Sequence, residues 1–388
     1  MLLKRIALLF YFLLIASSAF ADDDASRNVE FKNALYLIEK GNPLDAVVIL
    51  EKLFEETGAP RVRLELARAL MRSGQLDQAR KLFVKAYEAN PPIQVKATIV
   101  KFIDQIDHIK GKLTFGISAA ELTNPLGQPS LFSFNWNGFA LNTVPIKNQK
   151  NLLGVIYFAS YEKTFSDGYD IRTNGSFRDM SGSAADMLNV EVSAGKYFDQ
   201  IPMDLRVGAQ VLREDQQSFN LPYVETDYRF LISERLSVVP KLQIGYFDSL
   251  VSNGYSGANY RFTVPLNYVI DPAKVISIGP KVEYRNANFP DQKYFTYGIN
   301  FDASINFDMV GVNITVFPKE TAYQSVDTFW GIQRVDKGIY VSAEISSERF
   351  RYKEYIPSVG VFCDYERSNI QFYTQNSCGV LTNLRTIY

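Results

Sequence analysis

The sequence predicts N-terminal α-helical repeats followed by a 14-stranded antiparallel transmembrane β-barrel. Three observations predict this class. The first is an internal repeat of 33 residues near the start; the second is an alternation of apolar and polar residues from Gly111 onward. The third is an aromatic content of 14% without any uninterrupted apolar stretch long enough to cross a bilayer as a helix. Strands need only alternate to cross a membrane, so many aromatics without an apolar 20-mer suit a barrel.

The chain begins with a secretory pattern over residues 1–21: Lys4 and Arg5, an apolar run from Ile6 to Ile15, then Ala19-Phe20-Ala21 as a small-x-small cleavage site. No Cys follows that site, so the mature chain, starting near Asp22, is not expected to be a lipoprotein. The expected divisions are a leader over 1–21, a helical domain over 22–110 and a barrel over 111–388. The chain has 41 basic and 42 acidic side chains, and this balance gives no field that would attract nucleic acid.

Sliding the sequence by 33 residues aligns Ala34 with Ala67, Leu37 with Leu70, Gly41 with Gly74, Ala46 with Ala79, Leu50 with Phe83 and Phe54 with Tyr87. These are the small and large positions through which two antiparallel helices pack. Gly41 and Gly74 stand where the first helix of each pair must stop, and Pro91-Pro92 closes the second pair. Ala79-x-x-x-Phe83 followed by Pro91 resembles a tetratricopeptide repeat. A fifth helix over about 93 to 108 carries Val95, Ile99, Phe102, Ile103 and Ile106 on one stripe and can cover the open end of the second repeat.

On the first helix of the second repeat, Arg61, Glu65, Arg68 and Arg72 form a polar stripe at i, i+4, i+7 and i+11. It reads either as a solvated face with an internal ion pair or as a client-binding surface, because this helix type lines the concave side of such arrays.

In the second part, residues 295 to 307 alternate most clearly: Phe295, Tyr297, Ile299, Phe301, Ala303, Ile305 and Phe307 on one face, polar residues and Gly298 on the other. Repeating that reading gives strands at 111–120, 150–162, 168–177, 187–198, 202–214, 221–232, 236–248, 257–269, 274–285, 293–305, 309–318, 338–347, 355–366 and 370–388. Short connections are expected to alternate with longer ones at 121–149, 178–186, 249–256 and 319–337, as in an outer-membrane barrel. The 121–149 segment can fold inward as a plug or lie at the rim. The same parity turns Arg206, Asp227, Arg229, Lys241, Lys281, Glu283 and Arg285 toward the lumen, a mixture of signs unlike a single-sign ion filter. Tyr388 ends the chain on the parity of a barrel-closing strand.

Two cysteines, Cys363 and Cys378, lie in a chain bound for an oxidising compartment. Parity puts both on one face of neighbouring strands, yet a tight turn between those strands would not set them opposite each other; a disulfide and two thiols both remain open. With one histidine and no Cys cluster, neither a zinc site nor a bound cofactor is expected. The histidine, His108, ends a helix, where it balances the dipole; a triad in the barrel would lack its base, so an enzyme is not expected.

The leader, the short head reading RLELARA…NPP and the fourteen alternating strands together resemble the surface lipoprotein assembly modulator family of type XI secretion. The closing hairpin, with Pro357-Ser358-Val359 and Tyr365-Glu366-Arg367-Ser368-Asn369-Ile370, resembles that family's last strands. The chain departs from the family in its short head and its terminal Tyr. The resemblance implies an outer-membrane protein of a Gram-negative bacterium with a periplasmic head, exporting a lipidated or soluble client protein. Its implied partners are that client, outer-membrane lipid and the barrel assembly machinery. The alternative is a solute channel whose helical head is a plug or handle.

Overall fold

The computed structural model describes residues 26–123, 133–136, 139–142, 152–165, 167–181, 186–198, 200–214, 218–307, 309–352 and 355–386. The expected leader, Tyr388 and most of the 121–149 segment lie outside the described residues. Two compact units divide after Ile106.

The first unit holds five helices: α1 at 26–39, α2 (Pro43–Thr57), α3 (Pro60–Arg72), α4 (Leu76–Glu88) and α5 (Ile93–Lys110), whose last residues belong to the second unit. Pro43 and Pro60 start their helices, where a missing N–H costs nothing. Gly41 and Gly74 end the first helix of each pair at φ 84° and 82°, a left-handed conformation that a side chain would strain. The 33-residue period is structural, since α2 and α4 begin at Pro43 and Leu76. Ala34, Ala46, Ala67, Ala69 and Ala79 are fully buried, so the helix backbones approach closely, and Leu50, Leu70 and Phe83 fill the remaining space. α5 adds Ile99, Ile103 and Ile106 to this core and stacks Phe102 on Phe83 at 5.1 Å between ring centroids.

The second unit is one closed antiparallel sheet. Its strands in chain order are β1 (Lys112–Thr123), β4 (Leu152–Thr164), β5 (Tyr169–Met180), β6 (Met187–Phe198), β7 (Met203–Arg213), β8 (Phe219–Tyr228) with β9 (Phe230–Leu231), and β10 (Leu236–Val238) with β11 (Lys241–Ser249). They continue with β12 (Gly257–Thr263) and β13 (Leu266–Asp271), β14 (Lys274–Ala287), β15 (Tyr294–Asn306), β16 (Val310–Val326), β17 (Gln333–Ser347), β18 (Tyr355–Ser368) and β19 (Gln375–Thr386). A separate two-stranded hairpin is formed by β2 (Ser133–Trp136) and β3 (Phe139–Asn142).

These strands make fourteen spans, each paired to the next, and β1 closes on β19 from Ser118↔Asn383 to Thr123↔Cys378. With an even number of spans, the start of β1 and the end of β19 share one end of the barrel, called here the entry end. Two spans are interrupted at proline: Val239-Pro240 divides β10 from β11, and Val264-Pro265 divides β12 from β13. A proline lacks the N–H that a ladder needs, so pairing pauses and resumes.

Three of the expected long connections are shorter than the sequence reading has them. β16 runs on to Val326 and β17 starts at Gln333, leaving 327–332 in place of 319–337; β5 runs to Met180, and β11 to Ser249. The sequence reading stops β5, β16 and β17 beside charged residues, but in the barrel those charges are paired with opposite ones. Lys319 reaches Asp364 at 3.2 Å, Lys337 reaches Glu320 at 3.5 Å, and Arg178 reaches Glu214 at 2.7 Å.

The burial pattern is the reverse of a globular core. Leu113, Phe115, Ile117, Val207, Ile299, Val359 and Val361 are exposed on the outside, whereas Arg206, Asn259 and Asp336 are 4%, 1% and 2% exposed on the inside. A closed sheet whose outer face is apolar satisfies its backbone internally and suits a lipid environment.

Candidate functional site

The inner wall of the barrel carries a network of paired charges. Near the entry end, Arg206 on β7 donates from Nη2 to Asp170 of β5 at 2.8 and 2.9 Å and to Asp204 at 3.0 Å, and from Nη1 to Ser193 of β6 at 3.3 Å. Arg172 adds a second cation to Asp170 at 2.9 Å. Gly195 makes the room, because a Cβ there would stand 2.8 Å from Nη2 and 2.9 Å from the Asp170 carboxylate. A buried guanidinium is stable only when its charge and donors are met, and the two carboxylates supply both.

Further round the wall, Lys241 on β11 pairs with Glu225 of β8 at 2.7 Å. Gln243 links Glu225 to Arg261, with 3.3 Å on each side. Arg261 donates to Glu283 of β14 at 3.1 Å, and Glu283 also accepts from Asn259 and Tyr294 at 3.0 and 3.1 Å. The Arg285 guanidinium lies 3.6 Å from the centroid of Phe247. Lys281 stands over Phe317 at 4.8 Å, an arrangement in which the ring face takes part of the charge. Together with Tyr294, Lys319, Asp336 and Glu366, Lys281 and Glu283 line a cavity of about 300 Å³.

Of the remaining residues selected from sequence, Asp227 sits on β8 opposite Lys241, and Arg229 lies exposed between β8 and β9, outside the strands. The run Lys319, Arg334, Asp336, Asp364 and Glu366 is absent from the sequence selection. Arg334 meets Asp336 at 2.7 Å and Glu366 at 3.7 Å, and stacks 3.7 Å from the Tyr373 ring centroid. For Lys319, Arg334 and Asp336 the signal, inward parity continuing into 319–337, is hidden because that segment reads as a loop, whereas Asp364 and Glu366 stand on the inward parity of the strand expected at 355–366. Tyr373 lies in the connection after β18; burial and a 2.8 Å hydrogen bond to Asp327 push its phenol above the ordinary tyrosine range.

Cys363 and Cys378 form a disulfide on the outward face of β18 and β19, directly opposite in the register. The expectation that a tight turn would keep them from facing each other is thereby corrected. β18 extends to Ser368 and the connection runs to Thr374, which moves the centre of the hairpin toward the C-terminus and brings the two positions level.

In the helical unit, the stripe on α3 is partly used by α1. Arg72 donates to the Ile38 carbonyl at 2.8 Å, satisfying an end of α1, and Arg61 stands over Phe31 at 5.3 Å. Arg68 and Glu65 pair with each other at 2.6 Å. The stripe therefore divides into two side chains that brace α1 and two that make the internal ion pair of the first of its two sequence readings. His108, in the second unit, places Nδ1 3.1 Å from Glu162 Oε2.

A sequence model of the tetratricopeptide repeat matches residues 37–99. No curated protein matches the chain. Among solved structures, the outer membrane channel DcaP of Acinetobacter baumannii is 8% identical, with a TM-score of 0.39 over 71% of this chain and 96% of that one. OprD of Pseudomonas aeruginosa is 7% identical, with a TM-score of 0.38 over 72% and 95%. A bacterial polysaccharide outer membrane secretin is 12% identical, with a TM-score of 0.37 over 70% and 98%.

Proposed function

We propose that the chain is an outer-membrane translocon of a Gram-negative bacterium, carrying a client protein, a surface lipoprotein or a soluble effector, to the cell surface. The observation that supports this is a tetratricopeptide-type helical module in the same chain as a closed barrel with an apolar outer face. Such modules bind peptides and proteins rather than small solutes. An even number of spans returns both ends of the barrel to one side, so a helical head that arrives in the periplasm stays there to receive the client. Surface lipoprotein assembly modulators combine the same parts, and the resemblance in sequence points the same way.

The inner wall suits passage of a polypeptide of either sign, because its cations and carboxylates neutralise one another locally. Net movement is driven by capture or folding of the client outside, since the periplasm holds no ATP. Co-expressing a client encoded beside this protein and assaying its surface exposure by protease access tests the reading; equal exposure with and without the barrel overturns it.

A second reading is a solute channel. The cross-braced wall favours it, since ion pairs spanning β5 to β7 and β8 to β14 hold a fixed polar bore. In planar bilayers the translocon is expected to be nearly closed at rest, whereas a channel gives large steady conductance.

A further inference from the structure

We propose that Lys337 and Arg367, on the outer surface of the barrel, bind the phosphate of an outer-leaflet lipid. The two residues face each other directly across β17 and β18. Like charges placed opposite in a sheet repel, which destabilises the pair unless an anion lies between them. Lys337 is extended toward solvent and reaches Glu320 at 3.5 Å, but Glu320 also accepts the Tyr297 phenol at 2.7 Å. Arg367 is exposed and makes no ion pair among the described residues. One carboxylate against two cations leaves an excess positive charge at this point of the wall.

The height of the pair on the barrel fits a headgroup. Going from the entry end along β17, past Ser347, the outward residues are Ile345, Ala343, Val341 and Ile339, all uncharged and apolar; the next is Lys337. Along β18, past Tyr355 and Pro357, they are Val359, Val361, the disulfide-bonded Cys363 and Tyr365; the next is Arg367. An apolar ladder that ends in tyrosine and then a cation is the order met on passing from acyl chains into the phosphate layer.

The pair also borders a cavity. An open crevice of about 960 Å³ is lined by Lys337, Ile339, Tyr365, Arg367, Asn369 and Asn376. Glu366, between Tyr365 and Arg367, turns the other way and meets Lys319 inside the barrel at 3.5 Å. The crevice thus offers two cations and amides at its upper rim and an apolar floor below, the chemistry of a phosphorylated lipid rather than of a free anion.

This inference rests on the outer-membrane reading, with the entry end facing the periplasm. The test uses the full chain folded into phosphatidylcholine vesicles containing either bisphosphorylated lipid A or lipid A stripped of phosphate, with bound lipid counted by native mass spectrometry after detergent extraction. Wild type is expected to retain phosphorylated lipid A about twenty-five-fold better than K337Q/R367Q, as the product of roughly fivefold for each charge removed. The charge-preserving K337R/R367K keeps that retention. Equal retention by wild type and K337Q/R367Q, or no preference for the phosphorylated lipid, overturns the site while protease-protected insertion leaves the membrane reading standing. Failure of wild type to insert overturns both.

Discussion

The helical unit and the barrel bury opposite kinds of side chain. In the first, alanines and large apolar residues are enclosed, with Phe83, Leu50, Ala46 and Ala79 at 0% exposure. In the second, several of the least exposed side chains are polar: Arg206, Asn259, Ser256 and Asp336 are enclosed while Ile299, Val359 and Leu113 stand outside. The difference shows that burial alone does not identify a core; the medium on each side decides which residues belong there. The helices exclude water from a centre, whereas the barrel presents an apolar exterior and keeps its charges in a polar interior.

The largest test of this contrast removes bulk from the helical core. Phe83→Ala deletes a ring packed on Phe102 and is expected to destabilise the helical unit by about 3–5 kcal/mol, read as loss of helical circular dichroism at lower denaturant while barrel unfolding stays unchanged. Parallel loss of the barrel signal would break the distinction between the two units.

In the barrel, removing charge is expected to do comparable damage. Arg206→Leu removes the enclosed cation and leaves Asp170 and Asp204 with only the more exposed Arg172 between them, which should cost about 3–5 kcal/mol in urea unfolding from vesicles. Adding Asp170→Asn and Asp204→Asn should recover much of the loss, because the uncompensated carboxylates, rather than a missing volume, cause it. If the triple variant is no better than Arg206→Leu, the interior is held by packing and resembles the head after all.

A smaller but sharper test places one charge at two exposed sites. Val48→Lys on α2 replaces a side chain 69% exposed to water and should change stability by less than about 0.5 kcal/mol. Ile299→Lys, midway along β15 and 55% exposed, meets lipid and should cost about 2–4 kcal/mol in the same urea titration. Equal effects at the two sites would mean that the barrel exterior faces water.

Much of the fold is legible because periodicity is local. Turning from 3.6 to 2 at Gly111 separates the units to within a few residues, and alternation locates all fourteen spans. Strand ends are less legible. Lys319, Glu320 and Lys337 read as a loop in sequence, since neither face is apolar there; their partners lie on strands up to 45 residues away. The site divides in the same way. Parity alone turns Arg206, Lys241, Lys281, Glu283 and Arg285 inward, but nothing local reveals that Gly195 exists to admit the Arg206 guanidinium, or that Arg72 is committed to Ile38.

Sequence by itself determines, then, the order of the two units, the 33-residue repeat, the number of spans and the face each strand residue takes, because each depends on neighbours a few positions along the chain. Tertiary structure alone decides how far strands extend, which charges become partners and that Cys363 meets Cys378. These depend on register between strands, and register follows from where each hairpin turns and how the sheet closes, quantities that no short stretch of sequence contains.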